Sequence, residues 1–400
     1  MCHLARALAR NVPMPFSRSV VGTTMANACL LGVLLFTQST SNADWPVFRG
    51  DANASGAVTV KLPAELEELW TYSAKDGDSE GGFEGTAAIA NGIVYVGDFD
   101  GTFHAVDLKT GEKKWTKRFE DTGFLAATTI AGKHLYLGDY NGIVRCLSTE
   151  DGSEVWQYDT KSEVNAAVNV HGEAVLVTTE GGSLLSLDKA TGDNRWEYTI
   201  DSPLRCWPTV VKNRVLLAGC DGVLHAVDVE KGKQLDTVSI EGPTGCTPAV
   251  MKGRAYFGTE DGNFFAVQLD PLEIAWKYRD TKRSSGVRTA AALTKDIVVF
   301  GSQGKKVYAI NPEKGEPLWE FPTRSRVESS PLIVGKFAFF GTVRGRLYLV
   351  DLKSSEEVWQ LNTGGSFIAS PAVSDERIVI GNTDGTLYCF GRAETGIEIN

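Results

Sequence analysis

The sequence predicts an all-β fold: an eight-bladed β-propeller of four-stranded antiparallel blades, closed by a strand from the N-terminus. Three observations carry the prediction. One hairpin string recurs eight times, as VYVGDFDG (ending at Gly101), LYLGDYNG (Gly142), VLVTTEGG (Gly182), VLLAGCDG (Gly222), AYFGTEDG (Gly262), VVFGSQGK (Lys305), AFFGTVRG (Gly345) and IVIGNTDG (Gly385). The steps are 41, 40, 40, 40, 43, 40 and 40 residues, and a fixed period of this size built from strands marks blades that bury their faces only against neighbours. Finally, a tryptophan follows the turn position at a constant spacing: Trp115, Trp156, Trp196, Trp276, Trp319 and Trp359, with Asp236 as the exception in the fourth copy.

Residues 1–43 read as an export signal. The only charges there are Arg6, Arg10 and Arg18, ahead of the apolar run Cys29–Phe36 and a Ser41-Asn42-Ala43 cleavage pattern. That run is too short to span a bilayer. The long basic region makes Met14 an alternative start, and a disordered cytoplasmic tail is the competing reading. No later apolar run reaches membrane length, so no transmembrane segment is expected in the mature chain. The whole chain carries a net charge of −10, and losing three arginines and no acid makes the remainder more acidic still. Such a body is unsuited to nucleic acid or to anionic membranes, both of which select basic surface.

Residues 44–60 form a leader and 61–400 the propeller. Within the first copy, Ile93–Gly97, Thr102–Val106 and Lys113–Phe119 are strands joined by turns at Asp100-Gly101 and Lys109-Thr110-Gly111. Asp-Gly and Asn-Gly supply the positive φ that tight hairpins require. The remaining strand of each blade precedes the hairpin, as at Thr86–Ala90 and Ser330–Val334. Each tryptophan is expected to wedge between neighbouring blades, and removing one to cost ~3–5 kcal/mol, the range for a buried large aromatic. The last copy ends without a tryptophan, whereas Leu66–Ser73 carries Trp70 in a stray outer-strand pattern. Pairing that segment with the last copy closes the ring and leaves no open edge.

Two recurrent features look catalytic and have local explanations. Asp107, Asp188, Asp228, Asn311 and Asp351 sit where an Asx side chain caps the following turn. His104 and His225 share a position held elsewhere by Phe265, Tyr308, Tyr348 and Tyr388, which makes it an aromatic packing position and not a metal site.

The strings VYVGDFDGTFHAVDLKTGEKKW and VVFGSQGKKVYAINPEKGEPLW resemble the repeat of PQQ-type propellers, the superfamily of quinoprotein dehydrogenases and BamB-like outer-membrane assembly factors. The resemblance spans about residues 44 to 393 and includes the leader Asp44–Asp51. Its Arg49-Gly50-Asp51 also spells an adhesion tripeptide, a match too short to distinguish from chance. For the dehydrogenases the resemblance implies a polyanionic quinone over a tryptophan, with calcium. The chain lacks the adjacent cysteines, the haem-binding Cys-x-x-Cys-His and the roofing insertions that accompany such a site. No cofactor is therefore expected; PQQ with calcium belongs to the alternative reading, an oxidoreductase acting on alcohols or sugars.

One position per copy breaks the packing pattern at the start of the innermost strand: Glu84, Leu125, Asn165, Arg205, Gly245, Arg288, Glu328 and Ile368. Glu163 and Arg326 lie two residues upstream of their copies' members. These charges are expected to rim one mouth of the central channel, as a docking rim or as solvated charges that balance one another. Arginines there suit a carboxylate-bearing ligand or an acidic partner segment. Arg326-Val327-Glu328-Ser329-Ser330-Pro331 is similar to an Arg-x-Glu-Ser-x-Pro run near the partner-docking face of BamB-like factors. The expected function is thus a non-catalytic scaffold in the periplasm or cell envelope holding a protein partner. Cys206 and Cys246 occupy equivalent positions in adjacent copies, either as a cross-blade disulfide or as small packed residues. Cys220, in a turn, is the candidate exposed thiol.

Overall fold

In the computed structural model, residues 44–75, 81–282 and 284–392 are described, and they fall within one compact unit, Asn42–Asn400. The expected export signal lies outside the described residues. Eight antiparallel sheets follow one another around a ring, and each has the order inner strand to outer strand that the repeat predicts. Blade 1 comprises Ala88–Ala90, Ile93–Gly97, Thr102–Asp107 and Lys113–Arg118. The inner strands are shorter than their sequence pattern suggests: Leu332–Val334, for example, where Ser330–Val334 was expected. Ser330, one of the two residues left out, links neighbouring blades instead. Ala290 N–H donates to Ser330 Oγ, Ser330 N–H to Ser370 Oγ, and Ser370 N–H to Thr86 Oγ1, each at 3.0–3.1 Å.

Glu67–Ser73 pairs antiparallel with Thr386–Gly391 and completes blade 8, as the Trp70 pattern predicts. The Trp70 indole donates to Leu108 O at 2.9 Å in blade 1. The same bond recurs from Trp115 to Thr149 O, Trp156 to Lys189 O, Trp276 to Pro312 O and Trp319 to Leu352 O. The rings of Trp70, Trp115, Trp156 and Trp276 also lie over the turn of the next blade; a Cβ on Gly111 would meet Trp70 at 2.7 Å. The missing tryptophan of the fourth copy has a structural counterpart. By the pattern of the other blades, an indole in place of Asp236 would reach Leu269 O. Instead, Arg214 donates to that carbonyl at 2.8 Å and pairs with Asp270. Only Trp70 and Trp156 are buried, while the others of the set are half-buried on the outer rim. Their truncation costs therefore fall below the range expected from sequence.

The Asx caps form as expected: Asp107 Oδ1 accepts from the N–H groups of Lys109 and Thr110, and Asp188 and Asp351 do likewise. His104 packs against Tyr72 and Phe83 and also bonds Asp98 and Tyr72 at 2.9 Å. The position is aromatic packing with its polar edge satisfied.

The leader does something its sequence did not announce. It crosses the channel. Trp45 exchanges two backbone hydrogen bonds with Ile89 of blade 1, and Pro46 O accepts from Ile130 of blade 2. Farther along, Asn53 O, Ser55 O and Gly56 O accept from Val250, Leu293 and Ile333 of blades 5, 6 and 7. Ala57–Val58 then adds a fifth, parallel strand to blade 7. The inner strands expose unpaired edges toward the axis, and a strap that satisfies them removes the cost of leaving backbone groups unbonded.

Candidate functional site: the channel mouth

The position preceding each rim residue is buried, from Phe83 and Phe124 to Val327 and Phe367. Six of these side chains rest on a glycine at or beside the end of the second strand of the preceding blade; a Cβ at Gly97 would meet Phe124 at 2.4 Å, and one at Gly301 would meet Val327 at 2.4 Å. This packing points the following residue toward the axis. Glu84, Leu125, Asn165, Arg205, Gly245, Arg288, Glu328 and Ile368 accordingly line one cavity of about 180 Å³. The alignment of the inner strands thus brings together the residues that sequence spacing had grouped.

Their pairing is more specific than the sequence indicated. Arg205 forks onto Glu180 with Nε and Nη2, at 2.9–3.0 Å. Arg288 Nε bonds both oxygens of Glu260 at 2.8 and 3.0 Å. Glu328 accepts from Gln303 at 3.1 Å, and Asn165 donates to both Glu180 and Glu163. Glu180, Glu260 and Gln303 share one slot, in the hairpin turn of the preceding blade. Arg205 and Arg288 are therefore balanced from that turn and not by the rim acids. Ion pairing with Glu180 raises the Arg205 pKa further, and burial raises that of the Glu84 carboxyl. Arg326 is exposed and has no side-chain hydrogen bond or ion pair among the described residues.

The floor of the cavity is Phe48 of the leader with Trp207 of blade 4, ring centroids 6.4 Å apart. Trp207 is fully buried and donates to Val168 O at 3.0 Å. Its inward position was missed in the sequence because no other copy has an aromatic there. Beneath lies Arg49, 1% exposed, whose guanidinium donates to Ser330 O, Ala291 O and Pro331 O. Burial pulls its pKa down to about 9, and the carbonyls offset part of that cost. An adhesion role for the tripeptide is incompatible with this burial.

Cys206 and Cys246 are separate buried thiols, with Cys246 donating to Thr289 O and both pushed up to about 12 by burial. They are the small packed residues of the two alternatives. Cys220 is partly exposed, near Thr244 O. Among the described residues no three His, Cys, Asp or Glu side chains converge as metal ligands, and no helix is long and apolar enough to cross a membrane.

Residues 56–205 and 203–397 match the family model described as outer membrane protein assembly factor BamB. No curated protein sequence matches the chain. Among solved structures, BamB from Moraxella catarrhalis aligns at 19% identity over 82% of this chain and 100% of its own, with a TM-score of 0.70. The quinohemoprotein alcohol dehydrogenase from Comamonas testosteroni aligns at 15% identity, 88% and 81% coverage and a TM-score of 0.72. A europium-containing methanol dehydrogenase gives 12% identity, 88% and 98% coverage and a TM-score of 0.69. At these identities the likeness is one of fold.

Proposed function

Because this chain belongs to the PQQ-repeat family described as outer membrane protein assembly factor BamB, we propose that it is an exported, non-catalytic propeller that docks a protein partner of the cell envelope through its channel mouth. The filled channel is the observation that carries this reading. The leader puts Phe48 into the lining of the channel and Arg49 against inner-strand carbonyls of blades 6 and 7, and the cavity left at the axis measures about 180 Å³, under the ~300 Å³ at which small-molecule sites begin. What remains is a shallow charged rim with Arg205, Arg288 and Arg326 exposed, in which Arg326 is unpaired among the described residues and the Arg205–Glu180 and Arg288–Glu260 pairs offer both signs to a partner's polar surface.

Trp207 favours a second reading, the PQQ-dependent oxidoreductase, since a flat buried ring beneath a channel mouth is what a quinone would stack on. The neighbouring residues do not fit that group. Arg205 and Arg288 each carry a carboxylate of their own, Glu180 and Glu260, so the pocket above the ring is close to charge-balanced and not cationic enough for a compact tri-anion. Calcium requires six to eight oxygen ligands, and no cluster of three acids lies there among the described residues.

Affinity capture from envelope extracts tests the docking reading. The intact protein is expected to retain a defined partner, and the variant with Arg205, Arg288 and Arg326 all replaced by alanine to lose it while melting as a folded protein. Undiminished retention by the folded triple variant would return these arginines to a solvated rim.

A further inference from the structure

Blades 6 and 7 carry a second groove beside the mouth, of about 620 Å³, lined by Arg288, Lys305, Arg324, Arg326, Arg344 and Glu328. Arg288 is held by Glu260. The other four cations are exposed and have no side-chain hydrogen bond or ion pair among the described residues. Glu328 is the one acid in the lining, and it is occupied by Gln303.

Two of these cations stand where the repeat specifies something else. Lys305 fills a turn position that is glycine in the seven other copies, and it does so at φ 63°. The glycine has a reason. A Cβ at Gly142, Gly182 or Gly345 would meet a backbone oxygen of the overlying loop at 2.3–2.4 Å, and a left-handed conformation is costly for any other residue. Arg344 stands where Asp100, Asn141, Asp221, Asp261 and Asp384 stand in other copies, a slot suited to turn-forming acids and amides. Both departures replace the best turn residue with a cation, in adjacent blades, and both face one groove. Arg324 and Arg326 alternate with the buried Ser325 and Val327, so their side chains emerge on the same side of the loop.

We propose that this groove binds an extended, carboxylate-rich segment of a protein partner. The inference rests on the docking reading of the mouth and gives that reading a ligand chemistry. Guanidinium forks match carboxylates two oxygens at a time. Phosphate polymers fit less well, because they have no backbone N–H to donate to Glu328, which keeps acceptor capacity beside its bond from Gln303. Ile368, 39% exposed, borders the same groove and offers apolar contact that a peptide side chain uses.

The test is fluorescence anisotropy with labelled oligoglutamate, competed by inorganic polyphosphate of equal charge. Lys305→Gly and Arg344→Asp each restore the repeat, so neither variant is expected to melt below the parent. Oligoglutamate is expected to bind the intact protein, to weaken as salt screens the pairs, and to bind Lys305→Gly about tenfold more weakly, the loss of one charge-assisted hydrogen bond. It is expected to bind Arg344→Asp more weakly still, because that variant also places a like charge in the groove. Undiminished binding by the variants would overturn the assignment, as would polyphosphate binding tighter than oligoglutamate. If the intact protein ignores oligoglutamate yet still captures its envelope partner, the groove assignment falls and the docking reading stands. Oligoglutamate binding without capture leaves the groove chemistry standing and removes the docking reading.

Discussion

Replacing Arg49 by alanine is expected to destabilise the ring by ~3 kcal/mol, a fall of about 4 °C in the thermal midpoint for a domain of this size. The estimate follows from what the guanidinium touches. It is the donor to three backbone carbonyls of blades 6 and 7 at the channel axis, and each carbonyl left without a partner costs ~1–3 kcal/mol. Part of that loss is recovered, because the buried cation is itself desolvated in the native state. Lysine keeps the charge but cannot fork between carbonyls, so Arg49→Lys should fall between the parent and Arg49→Ala. Differential scanning calorimetry measures all three. A change below ~1 kcal/mol for Arg49→Ala, the scale of an ordinary surface substitution, would mean that the leader merely lies in the channel without holding it.

The second large effect is expected at the closing seam. Trp70 is 9% exposed, bonds Leu108 O in blade 1 and sits on the strand that pairs with Thr386–Gly391. Trp70→Ala should cost ~4 kcal/mol, within the range for truncating a buried tryptophan. The half-buried Trp196 and Trp319 lie within continuous blades, and their alanine variants should cost ~2 kcal/mol, in line with less area buried. Location sharpens the prediction. Blade 8 takes its outermost strand, Glu67–Ser73, from the N-terminal part of the chain, so local opening there unzips the ring. Hydrogen exchange should show Thr386–Gly391 losing protection in Trp70→Ala and keeping it in Trp319→Ala. Equal behaviour of the two variants would contradict a seam held by this indole.

Much of this molecule was legible because repetition makes departures visible. Eight turn glycines or their replacement set the blade count, and the one unpacked position per copy set the mouth, since both signals come from side chains at fixed spacing. The channel-crossing leader was not legible. Its partners are backbone N–H groups of Ile130, Val250, Leu293 and Ile333, which leave no mark on the residues that carry them. Arg49 lies in what the sequence presents as a chance tripeptide, because a buried arginine serving carbonyls has no local sequence signature. The partners of Arg205 and Arg288 were missed for a different reason. Glu180 and Glu260 sit in hairpin turns, 25 and 28 residues upstream of their arginines, and turn acids are ordinarily solvated. Their shared slot was the available clue. Asp236 was seen as an exception in one blade, whereas its explanation, Arg214 bonding Leu269 O, lies across a blade interface.

The most direct measurement is a titration of the purified protein with PQQ in the presence of calcium, followed by quinone absorbance and by dye reduction with alcohols and sugars. A channel crossed by the leader with Phe48 in its lining, and with Arg205 and Arg288 held by Glu180 and Glu260, predicts no saturable binding and no turnover. Stoichiometric binding with substrate-dependent dye reduction would contradict the scaffold reading and make Trp207 the floor of an active site.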